Sequence, residues 1–301
     1  MNRREFTKAS LATATLAALS PALAGPEHLI RKAIPSSGEL LPVIGLGTNR
    51  YGVDGSEVAR APLRDALRRF HALGGTLIDT APQYRTSESV LGELIAELGT
   101  RKDLFIATKT DKSSAEEVAA QMEDSSLKLK SPKFDLMQVH NLIAWKTALP
   151  VLREWQQEGR IRYVGITTSR DTQYEEFETV MRQEKLDFIQ INYSLEQRGA
   201  AKRILPLAAD LGVGVIINRA FGGGRIFDAV GNEPLPDWAA EFGCESWAQF
   251  LLKYAVGHPA ATVAIPGMTK VHHVDDNFGA AHGRLPDASE RQRQEAFFDA
   301  L

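Results

Sequence analysis

"GLGTNRYG", Gly45 to Gly52, separates two α/β folds. An apolar run leads into it and a helical pattern follows. A doubly wound nucleotide-binding sheet carries G-x-G-x-x-G at this junction, so that backbone can meet pyrophosphate. Here the glycines are Gly45, Gly47 and Gly52, and that spacing is missed. The competing reading is a closed (β/α)₈ barrel, which needs eight strand–helix repeats and no such turn.

Working outward, the repeats are present. Apolar strand-like runs occur at Val43–Gly47, Thr76–Asp79, Leu104–Thr108, Phe134–His140, Tyr163–Thr167, Phe188–Asn192, Gly214–Asn218 and Thr262–Ile265, with helical patterns between them. Apolar residues alternating around Ser37-Gly38 predict an N-terminal hairpin feeding the first strand. Ser114 with Glu117, and Ser246 with Gln249, are capping-box signatures. Pro150 to Gly159 reads as a helix ending at glycine. Val271–Ala281 and Ser289–Ala300 predict extra C-terminal helices, the latter with "SERQRQE" as a solvated face. The reading is an α/β fold, a (β/α)₈ TIM barrel with an N-terminal hairpin and extra C-terminal helices.

The chain has 301 residues and a net charge of -3, which gives no electrostatic reason to expect nucleic acid. One cysteine, Cys244, permits no intrachain disulfide. The start is different in kind. "MNRREFTKASLATATLAALSPALAG" has a basic beginning, an apolar middle and the small-residue pattern Ala22-Leu23-Ala24. Arg3-Arg4 resembles a twin-arginine export signal. The apolar stretch is too short for a comfortable membrane span, and the competing reading is an amphipathic helix or retained anchor. Residues 1–24 therefore read as a signal peptide cleaved after Ala24, and residues 25–301 as the barrel domain. The expectation is a periplasmic protein, exported folded by the twin-arginine machinery, with no stable membrane anchor. Because that route resembles one used by proteins that fold around a cofactor, it weakly implies one.

In such a barrel the C-terminal strand ends share one mouth, where chemistry sits. Asp79 in "LIDTAPQY", Lys109 in "FIATKT" and His140 in "LMQVHN" end three consecutive strands, and Tyr84 follows Asp79 by one short loop. A carboxylate at the end of an apolar strand is costly unless paired. Lys109 is its natural partner. The ammonium would also favour the Tyr84 phenolate and lower its pKa, making it a general acid or base near working pH. His140 would bond a carbonyl oxygen or assist that proton. Each residue alone reads as structural: a barrel ion pair, a satisfied core histidine, a loop aromatic. The four in this order suit carbonyl reduction with hydride from a nicotinamide.

These motifs, with "LPVIGLGT", "RYVGIT", "IQINYS" and "VAIPGMTKVHHVDDNFGA", resemble the aldo-keto reductase family from about Ile34 to Ala281. The resemblance implies Asp79, Tyr84, Lys109 and His140 as the catalytic tetrad. It implies NADP(H), or NAD, lying extended across the mouth and handing hydride directly to an aldehyde or ketone. Cofactor contacts are implied at Gly47, Thr48, Asn141, Gln190, Asn277 and the Thr167-Thr168 pair, which replaces a Ser-Asn. Asn218 stands where the family stacks an aromatic on the nicotinamide. Gly222, Gly223 and Gly224 suit close approach to a pyrophosphate, or a flexible hinge. Lys270 and His273, at a helix start, are placed near a 2′-phosphate.

Asn49, Tyr51, Trp145, Phe221 and Trp238 are the expected substrate pocket, a mix that fits small aldehydes, ketones or sugars. His272, His273, Asp275 and Asp276 lack a closed ligand geometry, so no metal site is assigned. Two other readings compete: a cofactor-binding regulatory subunit on the same barrel, and an aldolase using Lys109 as a Schiff base.

Overall fold

The structure is a computed structural model that describes residues 29–301. The export signal expected over residues 1–24 lies outside the described residues.

Eight parallel strands form one sheet. In chain order they are β3 (Leu46–Gly47), β4 (Leu77–Asp79), β5 (Phe105–Thr110), β6 (Phe134–Val139), β7 (Ile161–Thr167), β8 (Phe188–Asn192), β9 (Gly214–Asn218) and β10 (Val263–Ala264). Each neighbours the next in sequence, from β3 through to β10. The ends then meet. Gly45 N–H donates to Ala264 O at 2.8 Å, Ala264 N–H to Val43 O at 2.9 Å, and Gly47 N–H to Pro266 O at 3.0 Å. That closes the expected barrel. Every residue of β5 and β6 is buried, which is why these strands read as continuous apolar runs.

The glycines of the opening stretch serve this closure. A Cβ at Gly47 would meet the Ile265 carbonyl oxygen at 2.6 Å, and one at Gly52 the Tyr84 carbonyl oxygen at 2.3 Å. They let barrel segments approach each other; they do not form a phosphate turn.

Side chains from the strands fill the interior. Leu77, Phe105, Leu136, Tyr163, Phe188, Ile216 and Val263 pack together there, and Ile34 and Leu41 join them from the N-terminal hairpin. That hairpin pairs β1 (Arg31–Ala33) antiparallel with β2 (Leu40–Pro42). Each large apolar side chain so buried is worth about 1.5–3 kcal/mol. A second core lies between strands and helices.

Helices α1 (Glu57–Ala72), α2 (Ser87–Leu98), α5 (Tyr174–Gln183), α6 (Ala200–Leu211) and α7 (Arg225–Val230) lie between the strands with others named below, and two helix starts differ from expectation. The Ser114 box forms at α3 (Ala115–Lys128). At α8 (Trp247–Gly257), Ser246 Oγ accepts from Gln249 N–H, but the Gln249 side-chain Oε1 accepts from Glu245 N–H and not from Ser246 N–H, so only half the box exists. The helix expected from Pro150 is α4 (Trp145–Gln157), and it begins five residues earlier. Burial of Trp145, Ala148 and Leu149 supports a turn ahead of the proline that propensity alone would not. The C-terminal helices are α9 (Val271–Gly279) and α10 (Ala288–Phe298). Among the described residues, no helix is long and apolar enough to cross a membrane.

Candidate active site

The C-terminal strand ends surround a cavity of about 640 Å³. Asp79, Tyr84, Lys109 and His140 all line it. Asp79 is the last residue of β4, and Lys109 lies near the end of the neighbouring β5. Lys109 Nζ donates to Asp79 Oδ1 and Oδ2, both at 2.8 Å, and to the Thr80 carbonyl at 2.7 Å. Both side chains are almost wholly buried. Gln138 and Gln190 donate long bonds to the same carboxylate, at 3.5 and 3.4 Å. Gln138 was not foreseen. Its signal is a polar residue between two apolar ones near the end of a buried strand, opposite Lys109 in the β5–β6 register.

This pair is locked in the charged form at the lysine. Burial pulls the Lys109 pKa down, but Asp79 and Tyr84 outweigh it and leave the pKa above its ordinary value. All three ammonium protons have acceptors. A neutral, nucleophilic amine has no place here, which removes the Schiff-base reading.

Lys109 Nζ lies 5.4 Å from the Tyr84 ring centre, and the Tyr84 and His140 rings meet edge-on at 6.4 Å. The lowered phenol pKa expected from sequence is not what the site produces. Lys109 is the largest single influence and pulls it down. Burial and the Asp79 carboxylate together prevail, so the pKa sits above the ordinary value. Burial is the larger of the two opposing influences, and Asp79 offsets part of the field that Lys109 exerts. His140 moves the other way. Burial, then the Lys109 charge, lowers it to about 4. It is neutral at pH 7, and its Nδ1 is buried without a partner among the described residues.

The rest of the mouth divides. Gly47, Thr48, Asn49, Asn141, Thr167, Gln190, Asn218, Phe221, Gly223, Gly224 and His273 line the cavity. Thr48 Oγ1 donates to the Asp79 carbonyl at 2.8 Å, tying two loops together. Asn141, at φ 52°, donates its N–H to Thr167 Oγ1, and its side-chain oxygen accepts from Ser169 N–H.

Other expected residues turn away. Thr168 Oγ1 donates to Gln173 Oε1 at 2.5 Å and braces a turn, and Ser169 takes its place on the wall. Gly222 packs against Glu196. Lys270 is exposed at the start of α9, and Asn277 is buried one turn beyond His273; neither lines the cavity.

Three of the five expected pocket residues are packing residues. Tyr51 is fully buried, with its hydroxyl on the Met268 carbonyl at 3.0 Å. Trp145 donates to Glu176 at 3.1 Å from the start of α4. Trp238 packs among Phe242, Phe250 and Phe297, with the Arg293 guanidinium 4.1 Å from its ring centre. In their place the cavity takes Arg50, Gln83, Arg219, Ile265 and Thr269. Asp275 is engaged by Arg69 at 2.5 Å, and Asp276 by Ser246 at 2.6 Å.

Comparison with known proteins agrees with this geometry. The model of the Aldo/keto reductase family matches residues 43–296. The chain is 30% identical to "Aldo-keto reductase YhdN" of Bacillus subtilis strain 168 over 187 residues, a match spanning 56% of this chain and 54% of that protein. It is 26% identical to "Methylglyoxal reductase YeaE" of Escherichia coli K12, over 89% of this chain and 95% of the other. An aldo-keto reductase from Klebsiella pneumoniae, solved in complex with NADPH, shares the fold at a TM-score of 0.73 and 23% identity, over 90% of this chain and 96% of that one. A closed eight-stranded barrel with Asp79, Tyr84, Lys109 and His140 at its mouth, matched by the family model over most of its length, belongs to the aldo/keto reductase family of NAD(P)H-dependent oxidoreductases.

Proposed function

We propose that this protein reduces an aldehyde or ketone to an alcohol with NADPH, and that Tyr84 is the proton donor. One observation carries the reading: a buried, charge-balanced Asp79–Lys109 pair beside a phenol and a neutral imidazole, all on one cavity. NADPH, when bound, would supply the hydride for the carbonyl carbon and so become NADP⁺. Tyr84 gives its proton to the carbonyl oxygen, which completes the balance. A phenol held above its ordinary pKa is protonated at pH 7, the state a donor needs. Neutral His140 orients the carbonyl oxygen. Lys109 steadies the charge that develops on Tyr84 during transfer.

The walls fit a nicotinamide nucleotide. Gln190 Oε1 and Asn218 Oδ1 are buried on the cavity wall without donors among the described residues, and a carboxamide N–H would satisfy them. Gly223 and Gly224, at φ 76° and 103°, have open space where a Cβ would stand, so backbone is free to meet a diphosphate. Arg219 lies beside them. It holds φ 52°, a strained conformation for a residue with a side chain and one that clusters at ligand sites. The absence of a stacking aromatic at Asn218 is the feature that favours a regulatory subunit with little turnover. The decisive experiment is NADPH oxidation with a panel of aldehydes. Turnover that disappears in Tyr84→Phe supports the reading. Nucleotide binding with no turnover of any carbonyl supports the regulatory one.

We further propose that residues 1–24 send the folded protein to the periplasm. Arg3→Lys with Arg4→Lys should hold it in the cytoplasm, and the exported form should begin at Gly25. Met1 found at the N-terminus of periplasmic material would refute this.

A further inference from the structure

The charge on the cavity wall is unbalanced. Arg50, Arg219 and Lys109 face one carboxylate, Asp79. Asp79 is taken by Lys109. Neither arginine has a side-chain hydrogen bond or ion pair with another described residue. Most arginines are paired, as Arg64 is with Glu57 and Glu97 and Arg162 with Glu39 and Asp135; Arg31, Arg85 and Arg170 are unpaired too, but only Arg50 and Arg219 are so on the cavity wall. The wall therefore presents two free guanidinium groups, although the chain as a whole is acidic. A guanidinium is always charged and forked, and it matches a carboxylate with two parallel bonds.

Position separates the two. Arg219 follows Asn218 at the end of β9 and precedes the Gly222–Gly224 segment, so it belongs with the nucleotide phosphates. Arg50 follows β3, which meets β10 on one side and pairs with β4, the strand of Asp79, on the other. Two residues before it, Thr48 is bonded to the Asp79 carbonyl. Two residues after it, Gly52 is packed so closely on the Tyr84 carbonyl that no Cβ fits. The segment bearing Arg50 is thus pinned to the loop that carries the proton donor.

We propose that Arg50 selects the substrate: an aldehyde or ketone carrying a carboxylate, held with its carbonyl at Tyr84. The assignment rests on the reductase reading, and it adds the substrate class. Arg50 is exposed, so its replacement leaves the core untouched.

The test compares 4-formylbenzoate with its methyl ester, which differ in one charge. The acid should be reduced with kcat/KM at least about tenfold above the ester. Arg50→Met should bring that ratio near one, mainly through KM, and Arg50→Lys should restore part of it. Titration of terephthalate into the protein with NADP bound gives a readout independent of turnover; binding should be lost in Arg50→Met. Equal rates for acid and ester in the wild type would overturn the assignment. So would a ratio that Arg50→Met leaves unchanged, or an Arg50→Met variant that loses NADPH affinity but keeps terephthalate. If neither aldehyde is reduced but terephthalate binding depends on Arg50, the reductase reading falls and the anion site stands. If neither aldehyde is reduced and terephthalate does not bind, both fall.

Discussion

The two halves of the barrel mouth are built on opposite plans. On the β4–β6 side, the charged groups satisfy one another: Lys109 spends all three protons, and Asp79 accepts four hydrogen bonds, while only the neutral Gln138 Oε1 and His140 Nδ1 stay unpaired among the described residues. On the β9–β10 side, Asn218 Oδ1 has no donor, Arg219 has no acceptor, and three glycines in a row hold positive φ. The first half is preorganised, and its cost was met during folding. The second half is completed by what binds. A substitution on the first side should therefore damage chemistry or the fold, and one on the second side should damage affinity.

The largest effect belongs to Tyr84. Tyr84→Phe should lower the rate of carbonyl reduction by about 10²–10⁴ and leave NADPH affinity nearly intact. Steady-state kinetics and a nucleotide titration check the two halves of that statement. The comparison also fixes a spectroscopic outcome. The ultraviolet difference titration of wild type minus Tyr84→Phe should show a phenol ionising above pH 10, because burial and Asp79 outweigh Lys109. A phenol titrating below 10 in the nucleotide-free protein would mean that the Lys109 charge is less fully cancelled than the geometry indicates.

Asp79→Asn comes next. It leaves the Lys109 ammonium buried without a counter-charge, which typically costs about 3–5 kcal/mol. Denaturant unfolding should register that loss, together with loss of activity. Unfolding free energy within about 1 kcal/mol of wild type would show that Gln138, Gln190 and Thr80 suffice to hold the lysine.

His140 gives the β4–β6 side a signature in acid. Its folded pKa is about 4, against about 6.5 in an unfolded chain. Between those values the unfolded chain binds the proton more readily. The stabilising effect is complete above about pH 6.5 and is lost as pH falls toward 4. At pH 5 the loss should be about 2 kcal/mol relative to pH 7, by linkage. Urea unfolding of wild type and His140→Asn at both pH values isolates it, since the variant should lose less stability on acidification. An identical pH dependence in the two proteins would place the effect elsewhere, for instance at His258, which is also lowered to about 4.

The same division explains what the sequence revealed. The eight strands were legible because strands buried on both faces read as unbroken apolar runs. Asp79, Lys109 and His140 were legible because a polar residue at the end of such a run has few structural excuses. Tyr51, Trp145 and Trp238 were misread because an aromatic in a loop carries no mark of which way it points. Here Met268, Glu176 and Phe250 each hold one of them away from the cavity. Arg50 and Arg219 escaped notice because a net negative composition hides a local positive excess, and because whether an arginine is paired depends on contacts far away in sequence. The phenol shift was missed for a related reason. The attraction of Lys109 could be inferred from strand order, but not the depth at which Tyr84 would be buried.

The smallest effect concerns the two nucleotides. On the proposed cofactor placement, Arg219, next to the Gly222–Gly224 segment, meets the diphosphate that NADPH and NADH share. Arg219→Ala should weaken both by about tenfold, the scale of one charge-assisted contact, and leave their ratio unchanged. Discrimination must come from α9, where the charges are poor. Lys270 is exposed and off the cavity wall. His273 is on the wall, but burial, His272 and Lys270 hold its pKa below the ordinary value, so it is neutral at pH 7. The preference for NADPH should therefore be modest at pH 7. It should grow in acid, below the ordinary histidine range, as the imidazole gains its proton. It should shrink with added salt, because the discriminating groups face solvent. His273→Ala should abolish the growth in acid while Lys270→Ala lowers the preference only slightly. Paired titrations of NADPH and NADH at pH 7 and pH 5.5 decide it. A strong preference at pH 7 that survives His273→Ala would show that a group outside α9 reads the 2′-phosphate, and Arg219 would then be the first candidate to test for that role.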